Sequence, residues 1–265
     1  MPTEPVPAYV ETPDGRMHVV TCGTGPALVL LHQTPRCWDE YRTVIDHLDG
    51  YRVVLPDLPG HGASTTLPEN TIDAAARAVL AVLDALGVTR AHLVGHHFGG
   101  LVAYHLAACV PDRVESLVLS STPYIDAAER ARRRDAPPFN SVGGAEDGGH
   151  LHRLWERRES YLAAPDPHVL SRYVRDVLAH PDPDRGHAAV AAYRSEDAAG
   201  RYDGPVLCIA SACDPRAFPH RRRILAAFPQ ATEHVLTQGD ISSPETCPAE
   251  FAAAVTGFHR QLAGR

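Results

Sequence analysis

A mostly parallel sheet covered by helices, an α/β fold, is what this sequence predicts. Short apolar runs alternate with longer amphipathic ones along much of the chain, the pattern of strands joined by crossover helices. At 265 residues, 44% hydrophobic and 22% charged, the chain can bury one large core without disulfide or metal staples. The strand rhythm stops between Ser121 and Gly204, where helical patterns near 149–163, 167–179 and 184–195 replace it. Apolar side chains in that stretch, such as Tyr161, Tyr173 and Val177, need something to pack against, so it reads as an inserted helical cap. The expected organisation is a core of residues 1–121 and 205–265 carrying a cap at 122–204.

Taken in order, residues 8–12 and 16–22 form an antiparallel pair turned at Pro13-Asp14-Gly15. Ala27–Leu31 is apolar throughout, as a parallel strand buried on both faces should be. Asp39–Leu48 has helical spacing, and Tyr51–Leu55 is the next strand. Thr71–Leu86 is an Ala/Leu-rich helix stopped at Gly87. Ala91–Val94 is a strand entering Gly95, and Phe98–Cys109 returns as a helix. Val114–Ser120, Val206–Ala210 and Glu233–Leu236 complete the strands, and a last helix runs from Pro248 to Leu262.

Composition excludes several functions. The net charge of -7 lacks the basic footprint of a nucleic-acid binder. No apolar run is long enough to span a membrane, and the opening Met-Pro-Thr-Glu-Pro has no basic or apolar leader character, so a cytoplasmic location is expected. All 25 basic residues are Arg, which excludes a lysine Schiff base and a phosphate-loop lysine. The six Cys show no Cys-x-x-Cys spacing, and free thiols are expected. The lysine-free, Ala- and Arg-rich usage points to GC-rich bacterial coding. Oligomeric state is left open, a homodimer included.

Gly95-His96-His97-Phe98-Gly99-Gly100 joins a strand to a helix. A Gly-x-X-x-Gly in that setting makes a sharp turn that thrusts its central side chain above the sheet. His32-Gln33-Thr34-Pro35 follows the Ala27–Leu31 strand, and Asp57-Leu58-Pro59-Gly60-His61-Gly62-Ala63-Ser64 follows the next one. Cys213-Asp214 follows Val206–Ala210, and Gly239-Asp240 precedes the final helix. In these motifs the chain resembles the α/β-hydrolase fold superfamily over nearly its whole length. The resemblance implies an oxyanion loop at His32–Pro35, a nucleophile position at 97, a triad acid at Asp214, a triad base at 240, and a cap where the insertion lies.

Two positions depart from that pattern. His97 stands where relatives carry Ser, Asp or Cys, and Asp240 stands where they carry His. A seryl-enzyme mechanism is therefore excluded, and so is a carboxylate nucleophile. The expected catalytic set is His97 as general acid/base, Asp240 orienting it and Asp214 supporting Asp240, and the resemblance implies the amides of Thr34 and Phe98 as oxyanion hole. His32, Gln33, Trp38, Tyr124 and Trp155 are the expected pocket residues, with Phe98 and Phe139 as further aromatic candidates. His96 and His61 read as structural. The Arg130–Arg134 run is assigned no role, and Cys37 and Cys213 read as small fillers.

An imidazole without a nucleophile favours proton transfer on a small apolar molecule. The expected activity is therefore a cofactor-independent lyase, isomerase or cyclase step, as in specialised metabolism. A hydrolase in which His97 activates water directly is the first alternative, and a non-catalytic ligand-binding relative is the second. A metal site drawn from His97, Asp240, Asp214, His32 and His220 is a weaker option, without supporting spacing, so no metal and no cofactor are expected.

Overall fold

The computed structural model describes residues 4–264, so the start of the segment read for a leader lies outside them. Among these residues one eight-stranded sheet runs in the order β1-β2-β4-β3-β5-β6-β7-β8. Its strands are β1 (Val6–Thr12), β2 (Gly15–Cys22), β3 (Ala27–Leu31), β4 (Arg52–Pro56), β5 (Ala91–His96), β6 (Val114–Ser120), β7 (Val206–Ser211) and β8 (Thr232–Leu236). β2 pairs antiparallel with β1 and β4, and β3 to β8 are parallel. The helices are α1 (Ile72–Ala85), α2 (Phe98–Cys109), α3 (Ala127–Arg134), α4 (Gly149–Glu159), α5 (Pro167–Ala179), α6 (Arg185–Ala192), α7 (Ser195–Ala198), α8 (Arg221–Ala227), α9 (Ser243–Thr246) and α10 (Pro248–Ala263). None is long and apolar enough to cross a membrane.

Each face of the sheet carries its own core. Ala75, Val79 and Val82 of α1 join Leu101 and Val102 of α2 and Ile224 of α8 on one side. Phe251, Val255 and Phe258 of α10 pack with Tyr41 and Val44 on the other. α1 begins where expected because the Thr71 side chain accepts from the Ala74 amide, satisfying a first-turn donor.

Two expectations need correction. Asp39–Leu48 forms two 3₁₀ turns, Trp38–Tyr41 and Ile45–His47, rather than one helix. Tyr41 and Val44 are drawn into the core between the turns, so packing rather than helical period sets the path of the chain. The insertion between β6 and β7 holds α3 to α7, two more helices than the sequence pattern suggests. α3 escapes that pattern because its sequence, AAERARRR, has no apolar stripe. Asp126 caps it by accepting from Glu129 N–H, and ion pairs from Glu129 to Arg132 and Arg133 brace it.

The inserted helices are fastened to the sheet by buried charge. Arg36, fully buried, donates to Asp176 of α5 at 2.6 Å and to Glu245 of α9 at 2.8 Å. Arg172 and Arg175 of α5 bind Glu245 and Asp39 from the other side, each at 2.8 Å. Removing one member of a buried ionic set strands its partners without compensation. Arg36→Leu is therefore expected to lower unfolding free energy by about 3 kcal/mol or more. Arg77→Ala, in exposed pairs with Glu69 and Asp73, should cost under about 1 kcal/mol. Urea unfolding of the two variants checks the contrast.

Candidate active site

β5 ends at His96 and α2 starts at Phe98, so His97 alone makes the turn. Its backbone lies at φ 48°, ψ -108°, a region that costs a non-glycine residue roughly 1–3 kcal/mol. The strain is held from both ends: His97 N–H donates to Ser120 O at 3.0 Å, and His97 O accepts from Leu101 N–H at 3.3 Å. Glycine is required on either side. A Cβ on Gly95 would strike the Gly99 carbonyl, and one on Gly99 would strike the Leu31 carbonyl.

The elbow lifts the His97 ring toward the loop after β7. Its Nε2 lies 2.7 Å from Asp214 Oδ2, close but oblique. Asp214 is fully buried, and its Oδ1 accepts from the amides of Arg216 and Ala217 at 2.9 and 3.1 Å. Burial opposes its ionisation, but His97 and these two amides outweigh that and hold its pKa down at about 2. The His97 side chain stays 16% exposed, and no described residue hydrogen-bonds to Nδ1.

Asp214, not Asp240, is thus the carboxylate that meets His97. Asp240 Oδ1 accepts from Ser242 N–H at 2.8 Å and Thr246 O–H at 2.9 Å, while Oδ2 accepts from Ala163 N–H at 3.0 Å. An aspartate readily accepts the backbone N–H two residues on, and that local turn occupies the side chain. The link from Asp214 to Asp240 is also backbone only, through Cys213 N–H to Gly239 O.

The expected oxyanion donors sit beside the ring. Neither the Thr34 nor the Phe98 amide donates to an acceptor among the described residues, and both residues line the chamber at His97. The Thr34 loop is fixed by the motif after β4. His61 Nε2 contacts Thr34 Oγ1 at 2.9 Å, and His32 Nε2 accepts from Leu58 N–H at 2.8 Å. Asp57 braces that motif by accepting from Trp38 N–H and Ala63 N–H and by pairing with His18. Burial drives His61 well below its ordinary pKa and His32 down to about 4. His96 is also buried and neutral, with Nδ1 at Ser120 Oγ and Nε2 at Ile241 O, tying the last loop to the elbow.

Of the five expected pocket residues, Gln33 lines the chamber, together with the further candidates Phe98 and Phe139. His32 is enclosed behind its loop with both ring nitrogens engaged. Trp38 is half-buried against the core on the α10 side of the sheet and lies under Arg42. Tyr124 and Trp155 are half-buried elsewhere, the Tyr124 amide donating to His220. Arg158, His187 and Arg216 line the chamber and are not among the expected residues. Arg216, two residues past Asp214, carries a positional signal; the other two carry none, since cap folding alone brings them in.

The chamber measures about 40 Å³, room for a water or a small reacting group but not for a whole organic substrate. It shares Arg133, Phe139, His187 and Arg216 with an outer cavity of about 710 Å³. The considered metal set does not gather there. His32 and Asp240 are spent as above, and His220 faces Tyr124 N–H and Glu129. Among the described residues, Cys37, Asp39 and Asp176 do come together, but Arg36 and Arg175 already neutralise them. All six Cys are free thiols.

A model of the alpha/beta hydrolase fold matches residues 26–240. The chain belongs to the alpha/beta hydrolase fold family. Epoxide hydrolase 3 of Siraitia grosvenorii is 35% identical over 129 residues, 47% of this chain and 39% of that protein. The match spans only 21% to 39% of the lengths of that protein and two bifunctional epoxide hydrolases. A hydrolase from Pseudomonas aeruginosa PA01 superposes with a TM-score of 0.77 at 27% identity, over 95% of this chain and 97% of the other. The enol-lactonase from Burkholderia xenovorans LB400 gives a TM-score of 0.77 at 25% identity, over 96% and 100%.

The depressed pKa of Asp214 has a definite sign in stability. The group is easier to ionise in the folded protein, so its contribution is complete above about pH 4 and lost as pH falls through about 2. Asp214→Asn is expected to melt below wild type at neutral pH, with the gap narrowing between about pH 4 and 2. Thermal melts across that range check it.

Proposed function

We propose that this alpha/beta hydrolase family member hydrolyses an ester or lactone of a small molecule by general-base catalysis, without a covalent acyl-enzyme. The observation that carries the reading is the 2.7 Å contact between His97 and Asp214 at an elbow flanked by the Thr34 and Phe98 amides. Asp214 takes the Nε2 side of the ring, leaving Nδ1 as the lone pair that accepts a proton from water. The water oxygen attacks the carbonyl carbon, and the two amides hold the oxyanion as the tetrahedral intermediate forms. The imidazolium then returns its proton to the leaving alkoxide, and Asp214 offsets the transient positive charge, the part a buried acid plays toward a catalytic histidine.

This replaces the lyase, isomerase or cyclase expectation. The similar proteins are named as hydrolases, including epoxide hydrolases and an enol-lactonase. It also replaces Asp240 by Asp214 as the orienting acid and gives Asp240 the task of holding the cap at Ala163. The unpaired amides match a carbonyl oxygen becoming negative, which supports ester and lactone chemistry.

Hydrolysis of an ester panel in H₂¹⁸O is expected to put solvent oxygen into the acid product. His97→Ala and Asp214→Asn should each lower kcat/KM by at least about 100-fold, while Asp240→Asn should act mainly on stability. A fluorophosphonate should fail to label the protein. Undiminished turnover in His97→Ala would remove the base from the mechanism.

A further inference from the structure

Arg133, Phe139, His187 and Arg216 form a wall shared by the two cavities, and Arg158 lines the inner one. Its charge is one-sided. Arg216 and Arg158 have no carboxylate within ion-pair distance among the described residues. Arg216 instead stacks 4.3 Å over the Phe139 ring and donates to Tyr161 Oη at 3.3 Å. Arg158, 1% exposed, donates to Ser242 Oγ at 2.6 Å, and its Nε finds no partner. The buried Nε2 of His187 is also unpartnered.

The nearby acids are already taken. Asp184, on the rim of the outer cavity, accepts from the Phe139, Asn140 and Ser141 amides and from Ser141 O–H. Glu129 is bound by Arg132 through Nε and Nη2 and by Arg133 through Nε. Cationic groups facing a cavity with unfilled donors, beside one aromatic face, fit an anion carried on an organic body.

We propose that these shared residues form a neck between the cavities and make it a carboxylate-binding subsite, so that the substrate is an ester or lactone bearing a free carboxylate. Arg216 and Arg133 grip the carboxylate, Phe139 covers the adjoining apolar atoms, and Arg158 with His187 completes the donor set on the chamber side. A substrate held there presents its scissile carbonyl toward His97, while the outer cavity takes the rest. The substrate class rests on the hydrolase reading given above; the anion site itself does not.

Calorimetry with phenylacetate and its neutral isostere phenylacetamide separates the two. Wild type is expected to bind phenylacetate at least about tenfold more tightly, and Arg216→Gln to remove most of that preference, the loss of a hydrogen bond to a charged group. Arg133→Gln should reduce it in part, and His97→Ala should keep it whole. Circular dichroism melts confirm that each variant is folded. Equal binding of the two probes to wild type, or a preference untouched in both arginine variants, overturns the subsite. Ester hydrolysis with equal binding overturns the subsite alone. Selective phenylacetate binding without hydrolysis of any ester upholds the subsite and overturns the hydrolase reading.

Discussion

Everything at the site depends on one contact, the His97 ring against the buried carboxylate of Asp214. Neither group is placed by its own preference. His97 occupies a backbone region that non-glycine residues avoid, and Asp214 is an anion with no exposure to water. The sheet makes both tolerable. Parallel β5 and β7, two positions apart with β6 between them, end on the same side of the sheet, so the elbow and the loop after β7 face each other. The amides of Arg216 and Ala217 solvate the carboxylate from behind.

Around that contact the molecule uses neutral histidines as rigid connectors. His32, His61 and His96 are each buried away from the charged state and each bridges a backbone or hydroxyl group of a neighbouring loop. A neutral imidazole both donates and accepts, so one ring can lock two segments without burying charge. The cap is held differently, by the Arg36 cluster and by Asp240 reaching Ala163. Breaking the Arg36 cluster leaves charge buried without a partner, so the cap is fastened strongly although its own apolar cluster is small, centred on Leu154, Tyr173 and Val177.

The parallel strands are legible in the sequence because a strand buried on both faces is apolar throughout, and Ala27–Leu31 has the bounds that pattern implies. The elbow is legible because glycine spacing reports close backbone approach. Helices held by charge, such as α3, are not, since apolar period carries no trace of ion pairing. The partner of His97 escapes sequence reading for a related reason. Sequence order suggests that Asp240, standing where relatives carry His, faces the ring. In space Asp240 is satisfied within its own turn and by the cap, and the acid position at 214 reaches the elbow directly, there being no intervening histidine. The chamber walls contributed by Arg158 and His187 come from cap packing between residues far apart in the chain, which local pattern does not encode.

The most direct test of this account is the tautomer of His97, read from its ring nitrogens by ¹⁵N–¹H correlation in selectively labelled protein, with His97→Gln for assignment. Pairing with Asp214 predicts that the neutral ring carries its proton on Nε2 and leaves Nδ1 bare, and that Asp214→Asn disturbs this preference. A neutral ring protonated on Nδ1, or a tautomer ratio indifferent to the loss of the Asp214 charge, would contradict it.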